Sequence, residues 1–368
     1  MPEPEIENAL SLGVIVHPYF WDFEKYPYRG IDRYNEELIK GFRRLGVALD
    51  VYDSGYVHTH AEGIFKELVF PFRFAAKKAR CFFAVHAMSG KWALLLGKKP
   101  VVTMIQDMLP FAYGEGQYDW AVKYFFKRRS IAFAAKKSDR LVVAYPSTKQ
   151  EVVERFGIDP NKVVVIPYGI DHHRFAPGPV KKGSPRRVFF LGEAVRAKGA
   201  DTVLRAFKLL RERTPDVELK MGSRGRELED LKRLAAELGI MDRTEFLGRI
   251  PDDELPNHYR DADVFVFPSR HGFGLPTIEA MACGIPTVSG KIFDAIDFVG
   301  DAGLLADPNS PEEVAQQLGD LLTDDALWHT YRERGLARAR QFSWDRMAKE
   351  TLEVCEEAVR ARGRTSGT

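Results

Sequence analysis

Short apolar runs alternate with longer amphipathic segments along most of this chain. Runs such as LGVIV at residues 12–16, LVVA at 141–144 and VFVF at 264–267 have the length of buried strands. Segments between such runs, for example residues 32–45 and 200–214, place apolar side chains at helical spacing. This alternation predicts an α/β fold in which parallel strands are joined by helices.

A break in the alternation divides the chain. Residues 176–187 are rich in proline, glycine and basic side chains and contain no apolar run, so they predict a linker. We expect an N-terminal Rossmann-like domain over residues 1–175 and a C-terminal one over 188–342, with two doubly wound parallel sheets facing a cleft. Residues 343–368 are predicted to form a helix that packs back on the N-terminal domain.

The stretch from residue 264 to 290 combines a strand, a glycine-rich turn and a helix. After VFVF, Gly272 and Gly274 mark the turn, and TIEAMACG predicts a helix with Glu279 in its first turn. Backbone N–H groups at such a place suit an anion, whereas a carboxylate suits the hydroxyls of a ribose. The alternative is a plain packing unit in which the glutamate complements the helix dipole.

A second glycine turn follows the first strand. Gly30 precedes the predicted helix at 32–45 and can offer a backbone N–H there, although any strand–helix turn can use a glycine. The loop before it carries Trp21, Tyr26 and Tyr28. These aromatic side chains fit a stacking surface for sugar rings or flat ligands, or else a part of the core.

Gln106 and Asp107 end another predicted strand. Ligands of doubly wound sheets gather outside the carboxyl ends of the strands, which makes this pair a candidate contact. The alternative is that both are ordinary turn residues.

Composition indicates an ordinary globular protein, with 368 residues, 45% hydrophobic and 29% charged, and a net charge of +2. So small a charge does not favour nucleic acid as a partner. Three widely spaced cysteines, Cys81, Cys283 and Cys355, argue against a disulfide framework or zinc site and favour a reducing compartment. Without a membrane-spanning apolar run or a signal peptide, we expect a cytoplasmic protein.

The charge is unevenly distributed, because residues 71–140 carry a net charge of +10. A helix-like segment there combines apolar residues with the cations Lys127, Arg128, Arg129, Lys136 and Lys137. The simpler interpretation is a solvated basic face over a packed apolar face. The functional alternative is peripheral docking to an anionic membrane surface.

Several motifs resemble those of retaining glycosyltransferases with the two-domain GT-B fold, in the large family called family 4 or glycosyl transferases group 1. The first helix reads GIDRYNEEL, where the mannosyl-, rhamnosyl- and glucosyltransferase-like branch begins GIGRYTREL. The further motifs, in family order, are PYGID, LGEAVRAKG, FLGRI, FVFPSRHGFGLPTIEAMACGIP, GDAGLLADP and FSWDRMAKET. The long block that contains Glu279 is the most specific of them.

The resemblance implies a metal-independent hexosyltransferase with no cofactor, which uses a nucleotide-diphosphate-sugar, a UDP- or GDP-sugar, as donor. Its acceptor would be a hydroxyl of a glycan, a glycolipid precursor or a small aglycone. Arg196 and Lys198 match the catalytic basic pair that neutralises the leaving diphosphate, and Glu279 matches the ribose-binding glutamate. The phosphate-binding backbone matches Gly30, Phe273, Gly274 and Leu275, and the part that meets the base matches Arg249 and Ile250.

Three positions depart from the family pattern. His271 replaces a glutamate that touches the donor sugar, which puts the sugar selectivity in question. Gln106 replaces the histidine of a His-Asp pair and keeps only the capacity for amide hydrogen bonds beside Asp107. Glu193 stands where many members carry an arginine. These departures leave open a second reading, a catalytically silent nucleotide-sugar-binding subunit that supports a partner enzyme.

Overall fold

The structure, a computed structural model, describes residues 10–16, 30–53, 69–72, 74–106, 108, 111, 121–179, 185–270 and 274–365. The chain divides into two compact units, one formed by Met1–Gly169 with Trp344–Thr368 and the other by Ile170–Ser343. Each unit contains a six-stranded sheet among its described residues, and all strand pairs are parallel. The predicted α/β fold with two doubly wound sheets is therefore confirmed.

The sheet of the first unit has the order β2-β1-β3-β4-β5-β6. Its central strands are apolar and buried on both faces, as parallel strands covered by helices require. The six strands are β1 (Ser11–Val16), β2 (Ala48–Asp53), β3 (Cys81–Ala84), β4 (Val101–Ile105), β5 (Arg140–Val143) and β6 (Val163–Val165). Four helices of this unit follow in chain order: α1 (Gly30–Arg44), α2 (Ala87–Leu95), α3 (Ala121–Lys137) and α4 (Pro146–Phe156).

The sheet of the second unit has the order β12-β11-β10-β7-β8-β9. Its strands are β7 (Arg186–Glu193), β8 (Val217–Arg224), β9 (Thr244–Phe246), β10 (Val264–Phe267), β11 (Thr287–Gly290) and β12 (Leu304–Ala306). Its helices are α5 (Ala200–Arg213), α6 (Leu228–Glu237), α7 (Leu255–Arg260), α8 (Leu275–Ala282), α9 (Phe293–Val299), α10 (Pro311–Thr323) and α11 (Asp325–Ala339).

The last helix, α12 (Trp344–Thr365), belongs to the first unit. It packs so closely on α1 that a side chain at Gly41 would overlap Ala348. Arg44 Nε donates to Asp345, at the start of the helix, at 3.0 Å. Near its end, Arg362 Nε donates to Asp139 at 3.0 Å, just before β5.

The segment that joins the sheets, residues 170–185, begins as part of the second unit. Phe175 is buried, and the Ala176 carbonyl accepts a hydrogen bond from Arg260 Nη1 at 3.3 Å. β7 starts at Arg186, inside the range that the sequence assigns to the linker. Residues 180–184 lie outside the described part of the chain.

Candidate functional site

In the sheet of the second unit, β7 and β10 are neighbours. The chain continues from β7 to β8 on one side of this pair and from β10 to β11 on the other, so the strand order reverses between β7 and β10. In a doubly wound sheet, a crevice for ligands opens at such a point, outside the carboxyl ends of the strands. The two segments that leave these ends are residues 194–199 and 268–274. Much of the predicted site therefore lies where the topology favours ligand binding.

Arg196–Lys198 form one turn of 3-10 helix after β7. Lys198 N donates to Val195 O at 2.9 Å, and Gly199 N donates to Arg196 O at 3.1 Å. Gly199 has a φ of 74°, and a side chain there would overlap the Pro268 carbonyl oxygen. Glycine is needed for both reasons, and the turn consequently lies directly against the end of β10.

This Arg196–Lys198 turn presents two cations beside the start of α5. Arg196 is exposed, and within the described part of the chain no residue forms an ion pair or hydrogen bond with its side chain. Lys198 is half-buried, with its Nζ 5.8 Å from the centre of the Phe267 ring. The cations and the helix N-terminus together make this place attractive to an anion.

Arg270 is a residue of the site that the sequence reasoning missed. Its backbone N–H donates to Ala197 O at 3.0 Å, and its guanidinium pairs with Asp201 at 3.0 Å. Arg270 therefore joins the segment after β10 to the turn after β7. A sequence signal for this role is weak, since the partners lie about 70 positions away along the chain.

The start of α8 supplies backbone N–H groups. Gly274 precedes the helix, and a side chain there would overlap the Phe298 ring. Pro276 has no N–H to offer, and none of the described residues accepts a hydrogen bond from the N–H groups of Gly274 and Leu275, which are therefore the donors of the helix start. These are two of the three residues of this turn predicted to bind phosphate; the third, Phe273, lies outside the described residues.

Glu279 lies in the second turn of α8, so its predicted position in the first turn is wrong. The helix begins at Leu275, two residues earlier than predicted, because proline is well tolerated in a first helical turn. The Glu279 side chain is only 2% exposed, and its Oε2 accepts a hydrogen bond from the Tyr259 hydroxyl at 2.9 Å. A buried carboxylate held in this way can accept hydrogen bonds from a ligand's hydroxyls without reorganising.

Arg249 and Ile250 follow β9, at the same carboxyl edge of the sheet as the Arg196–Lys198 turn. Ile250 packs into the space left by Gly222 of β8, where a Cβ atom would lie 2.6 Å from Ile250 Cδ1. Arg249 is exposed. The loop is thus anchored by its isoleucine, while Arg249 remains at the surface.

In the first unit, Gly30 is the first residue of α1 and Gln106 follows β4. Gln106 Nε2 donates to Val85 O at 2.8 Å, at the end of the neighbouring strand β3. Next to Val85, the buried His86 caps α2 by accepting a hydrogen bond from Met88 N at its Nδ1, at 3.0 Å. Gln106 and His86 thus lie together at the carboxyl edge of this sheet.

Several predicted residues fall outside the described part of the chain. They are Asp107, His271 and Phe273 of the predicted site and the aromatic residues Trp21, Tyr26 and Tyr28.

Other chemistries find little support in the described residues. They contain no group of three or more His, Cys, Asp or Glu side chains placed to hold a metal ion. Cys81, Cys283 and Cys355 are free and buried, and burial raises the pKa of the Cys283 thiol to about 12, so it is a poor nucleophile. No described helix is long and apolar enough to cross a membrane.

Two exposed apolar side chains lie in the basic region. Phe72 is 82% exposed and Leu95, at the end of α2, is 61% exposed. Their segments pack together, because Phe74 and Ala93 share one apolar cluster. The lysines of these segments and of the loop that follows are Lys77, Lys78, Lys91, Lys98 and Lys99. We call Phe72, Leu95 and these lysines the lysine-rimmed patch.

Two family models match adjacent parts of this chain. The model described as Glycosyltransferase Family 4 matches residues 28–174, and the model described as Glycosyl transferases group 1 matches residues 173–338. Together the two models cover the first helix, the strands from β2 to β12 and the predicted site.

Curated relatives include a D-inositol 3-phosphate glycosyltransferase of Salinispora arenicola, 34% identical over 253 residues. That match takes in 62% of this chain and 56% of the relative, so the chain spans little more than half the length of such relatives. A longer match, to O-antigen chain mannosyltransferase B of Escherichia coli, is 26% identical over 89% of this chain and 96% of the relative.

Solved structures agree with the fold. Sucrose-phosphate synthase from Thermosynechococcus elongatus superposes with a TM-score of 0.80 over 96% of this chain and 100% of its own, at 19% identity. Anabaena HepE, solved in complex with UDP and glucose, has a TM-score of 0.73 over 94% of this chain and 99% of its own, at 18% identity.

Proposed function

This chain belongs to the glycosyltransferases of family 4, group 1, with the GT-B fold, and on that premise we propose that it is a retaining glycosyltransferase. It moves a hexose from a nucleotide-diphosphate-sugar to a hydroxyl of a glycan, a glycolipid precursor or a small aglycone. Retention of configuration is part of the proposal and rests on the family resemblance.

One observation carries the proposal: the Arg196–Lys198 turn and the segment that leads into α8 leave neighbouring strands at the switch point of the second sheet, and the turn lies against Pro268 at the start of that segment. Two cations, the start of α5 and the N–H groups of Gly274 and Leu275 thus follow the carboxyl ends of two adjacent strands. A diphosphate is the group that matches this combination of fixed charge and backbone donors.

In the proposed reaction, Arg196 and Lys198 stabilise the negative charge that grows on the diphosphate as its bond to the sugar breaks. Because the backbone of the turn is held in place before the reaction, both cations already lie near the position of the diphosphate. They supply what a divalent metal supplies in other transferases, which is why we propose a metal-independent reaction.

The nucleoside end of the donor is assigned to two other parts of the second unit. Glu279 accepts hydrogen bonds from the ribose hydroxyls, as a buried, oriented carboxylate can. The loop with Arg249 and Ile250 meets the base. A relative named as a GDP-mannose-dependent mannosyltransferase and a neighbour solved with UDP support a GDP- or UDP-sugar as donor.

The remaining donor contacts stay predictions. Gly30, Phe273 and Asp107 are proposed to contact the donor as the family motifs imply. His271 and Gln106 replace residues that the family uses near the sugar, so we propose that they set which sugar is accepted. A neutral imidazole has one acceptor and one donor, whereas a glutamate only accepts, and the preferred sugar should differ accordingly.

A panel of UDP- and GDP-sugars, each tested with glycan, lipid-linked and small-molecule acceptors, tests the proposal. We expect one donor to give a glycoside with the donor's anomeric configuration, seen by NMR, and the same rate after treatment with EDTA. A product of inverted configuration would contradict retention. Loss of activity in EDTA, restored by a divalent metal, would contradict metal independence.

The replacement of the family histidine by Gln106 favours one alternative function, a catalytically silent subunit that binds nucleotide sugars. It predicts that the protein binds UDP or GDP but neither transfers nor hydrolyses any donor of the panel. Binding by calorimetry, measured beside the transfer assay, separates the two functions.

The lysine-rimmed patch supports a further part of the proposal, peripheral contact with an anionic membrane on the cytoplasmic side. Exposed Phe72 and Leu95 can insert at the level of the headgroups while the lysines attract anionic lipids. Such contact would bring the enzyme to a lipid-linked acceptor.

A further inference from the structure

The side chain of Arg270 uses all of its hydrogen-bond donors inside the protein. Nε donates to Asn309 at 2.8 Å. Nη1 donates to Arg196 O and to Asp201 at 3.0 Å, and Nη2 donates to Asp201 at 3.2 Å and to Thr202 at 2.9 Å. A guanidinium has five N–H groups, and these bonds account for each of them.

These bonds converge on the backbone of the Arg196–Lys198 turn. Arg196 O accepts from the guanidinium, and Ala197 O accepts from the Arg270 backbone N–H at 3.0 Å and from Ser269 Oγ at 3.3 Å. The carbonyl of each of the first two turn residues is therefore tied to the segment that leaves β10. The turn has only three residues, so these hydrogen bonds fix its orientation relative to the segment that leaves β10.

The positive charge of Arg270 is neutralised inside the protein by a carboxylate. Asp201, in the first turn of α5, forms a two-point ion pair with it, and the Arg270 side chain is 18% exposed. A guanidinium that is paired with a carboxylate and has no remaining N–H is a poor ligand for a diphosphate. Arg196 and Lys198 are the cations that the same bonds hold at the surface of the site.

We infer that Arg270 is a positioning residue, which holds the Arg196–Lys198 turn so that its two cations meet the diphosphate of the donor. This inference rests on the proposed function, because it takes the diphosphate as the ligand of the turn. It gives Arg270 no contact with substrate. Its effect passes through Arg196 and Lys198 alone.

The alternative is that Arg270 only stabilises the fold. Arg186 provides a matched control, because its side chain is 25% exposed and its Nη1 donates to Asp263 at 3.0 Å. That pair joins the same two strands, β7 and β10, at their opposite, amino-terminal ends. Arg186→Gln thus removes a comparable ion pair of the same sheet at a distance from the site.

The first measurement is hydrogen exchange of the peptide that covers residues 194–204, in the protein without ligand. Arg270→Gln should speed exchange of the Lys198 and Gly199 amides by about tenfold or more, because the Arg196 carbonyl loses the guanidinium that holds it. Arg186→Gln should leave that peptide unchanged. Equal exchange in wild type and Arg270→Gln would overturn the inference.

The second measurement is the affinity for UDP and GDP by calorimetry. Arg270→Gln should weaken binding about three- to tenfold in the wild-type background, and by less than about twofold in the Arg196→Ala/Lys198→Ala background, where no cation remains to be positioned. Equal losses in both backgrounds would show a role that does not pass through the two cations and would overturn the inference.

The outcomes separate this inference from the function on which it rests. If wild type binds neither UDP nor GDP, the proposed function fails and the inference falls with it. If wild type binds and transfers while the two measurements contradict the expected pattern, only the inference fails. Should Arg270→Gln not fold, as judged by circular dichroism, Arg270→Lys keeps the charge beside Asp201 and should show the same pattern with smaller changes.

Discussion

The hydroxyl of Tyr259 donates a hydrogen bond to Glu279 Oε2 over 2.9 Å, and both side chains are buried. Tyr259 is itself held between Phe175, Phe189 and Phe265, whose ring centres lie 5.4–6.0 Å from its own. The tyrosine therefore fixes one oxygen of the carboxylate that we assign to the ribose. Sequence motifs identify Glu279 but give no hint of this partner.

Tyr259→Phe should weaken binding of UDP or GDP about three- to tenfold, the usual cost of losing one hydrogen bond that orients a ligand-binding group. Glu279→Ala should cost about 1–3 kcal/mol of the same binding free energy, because all ribose bonds to the carboxylate are lost. Calorimetry measures both.

Tyr34→Phe is the control for the loss of a tyrosine hydroxyl. Tyr34 is buried in the first unit, and its hydroxyl finds no hydrogen-bond partner among the described residues. Its removal should leave nucleotide affinity unchanged and should not lower the thermal midpoint of unfolding. If Glu279→Ala binds UDP or GDP with wild-type affinity, Glu279 is not part of the site.

Gly199→Ala tests the close approach of the Arg196–Lys198 turn to β10. Gly239→Ala is its control, since Gly239 has a similar φ of 68° but nothing within 4 Å of the added methyl group. The control should lose about 1–2 kcal/mol of unfolding free energy from the left-handed backbone alone. Gly199→Ala should lose about 1–3 kcal/mol more, because the methyl group overlaps the Pro268 carbonyl.

Urea unfolding of the two glycine variants gives the comparison. Equal losses of unfolding free energy would mean that the segment after β10 yields easily to the added methyl group. The turn would then not be held in one place by its packing against Pro268.

The lysine-rimmed patch predicts binding to vesicles that contain phosphatidylglycerol, and release as the salt concentration rises, since screening shortens to about 8 Å near physiological ionic strength. Phe72→Ser combined with Leu95→Ser should reduce the bound fraction. Met241→Ser is the control, because Met241 is 43% exposed in the second unit. Sedimentation with vesicles measures the bound fraction; equal binding to pure phosphatidylcholine, or none to either, would reject the docking surface.

Much of the fold could be predicted because its signals are local. Runs such as VFVF are apolar and have the length of buried strands, and the structure has β10 over those four residues. Helix α2 was missed, because AMSGKWALL has no clear amphipathic pattern. It is defined by its packing: a Cβ atom on Gly90 would lie 3.0 Å from Ala84 and 3.1 Å from Thr103, on neighbouring strands.

The same distinction applies to the site. Arg196, Lys198 and Glu279 could be proposed because each belongs to a short motif of recognisable spacing. Arg270 and Tyr259 could not, since their roles depend on partners such as Asp201 and Glu279, which only the folded sheet brings near. Residues that act through another residue leave little trace in a single sequence, whereas residues that meet the ligand share their motifs with a family.

The central claim is that the Arg196–Lys198 turn stabilises the departing diphosphate. The most direct test is the turnover number of Lys198→Ala with the donor that wild type prefers, at saturating donor and acceptor. Lys208→Ala is the control, because Lys208 lies on α5 in an exposed pair with Glu212 at 3.4 Å. We expect turnover to fall by about two to three decades in Lys198→Ala, and to stay at the wild-type value in Lys208→Ala. Wild-type turnover in a folded Lys198→Ala protein would contradict the claim.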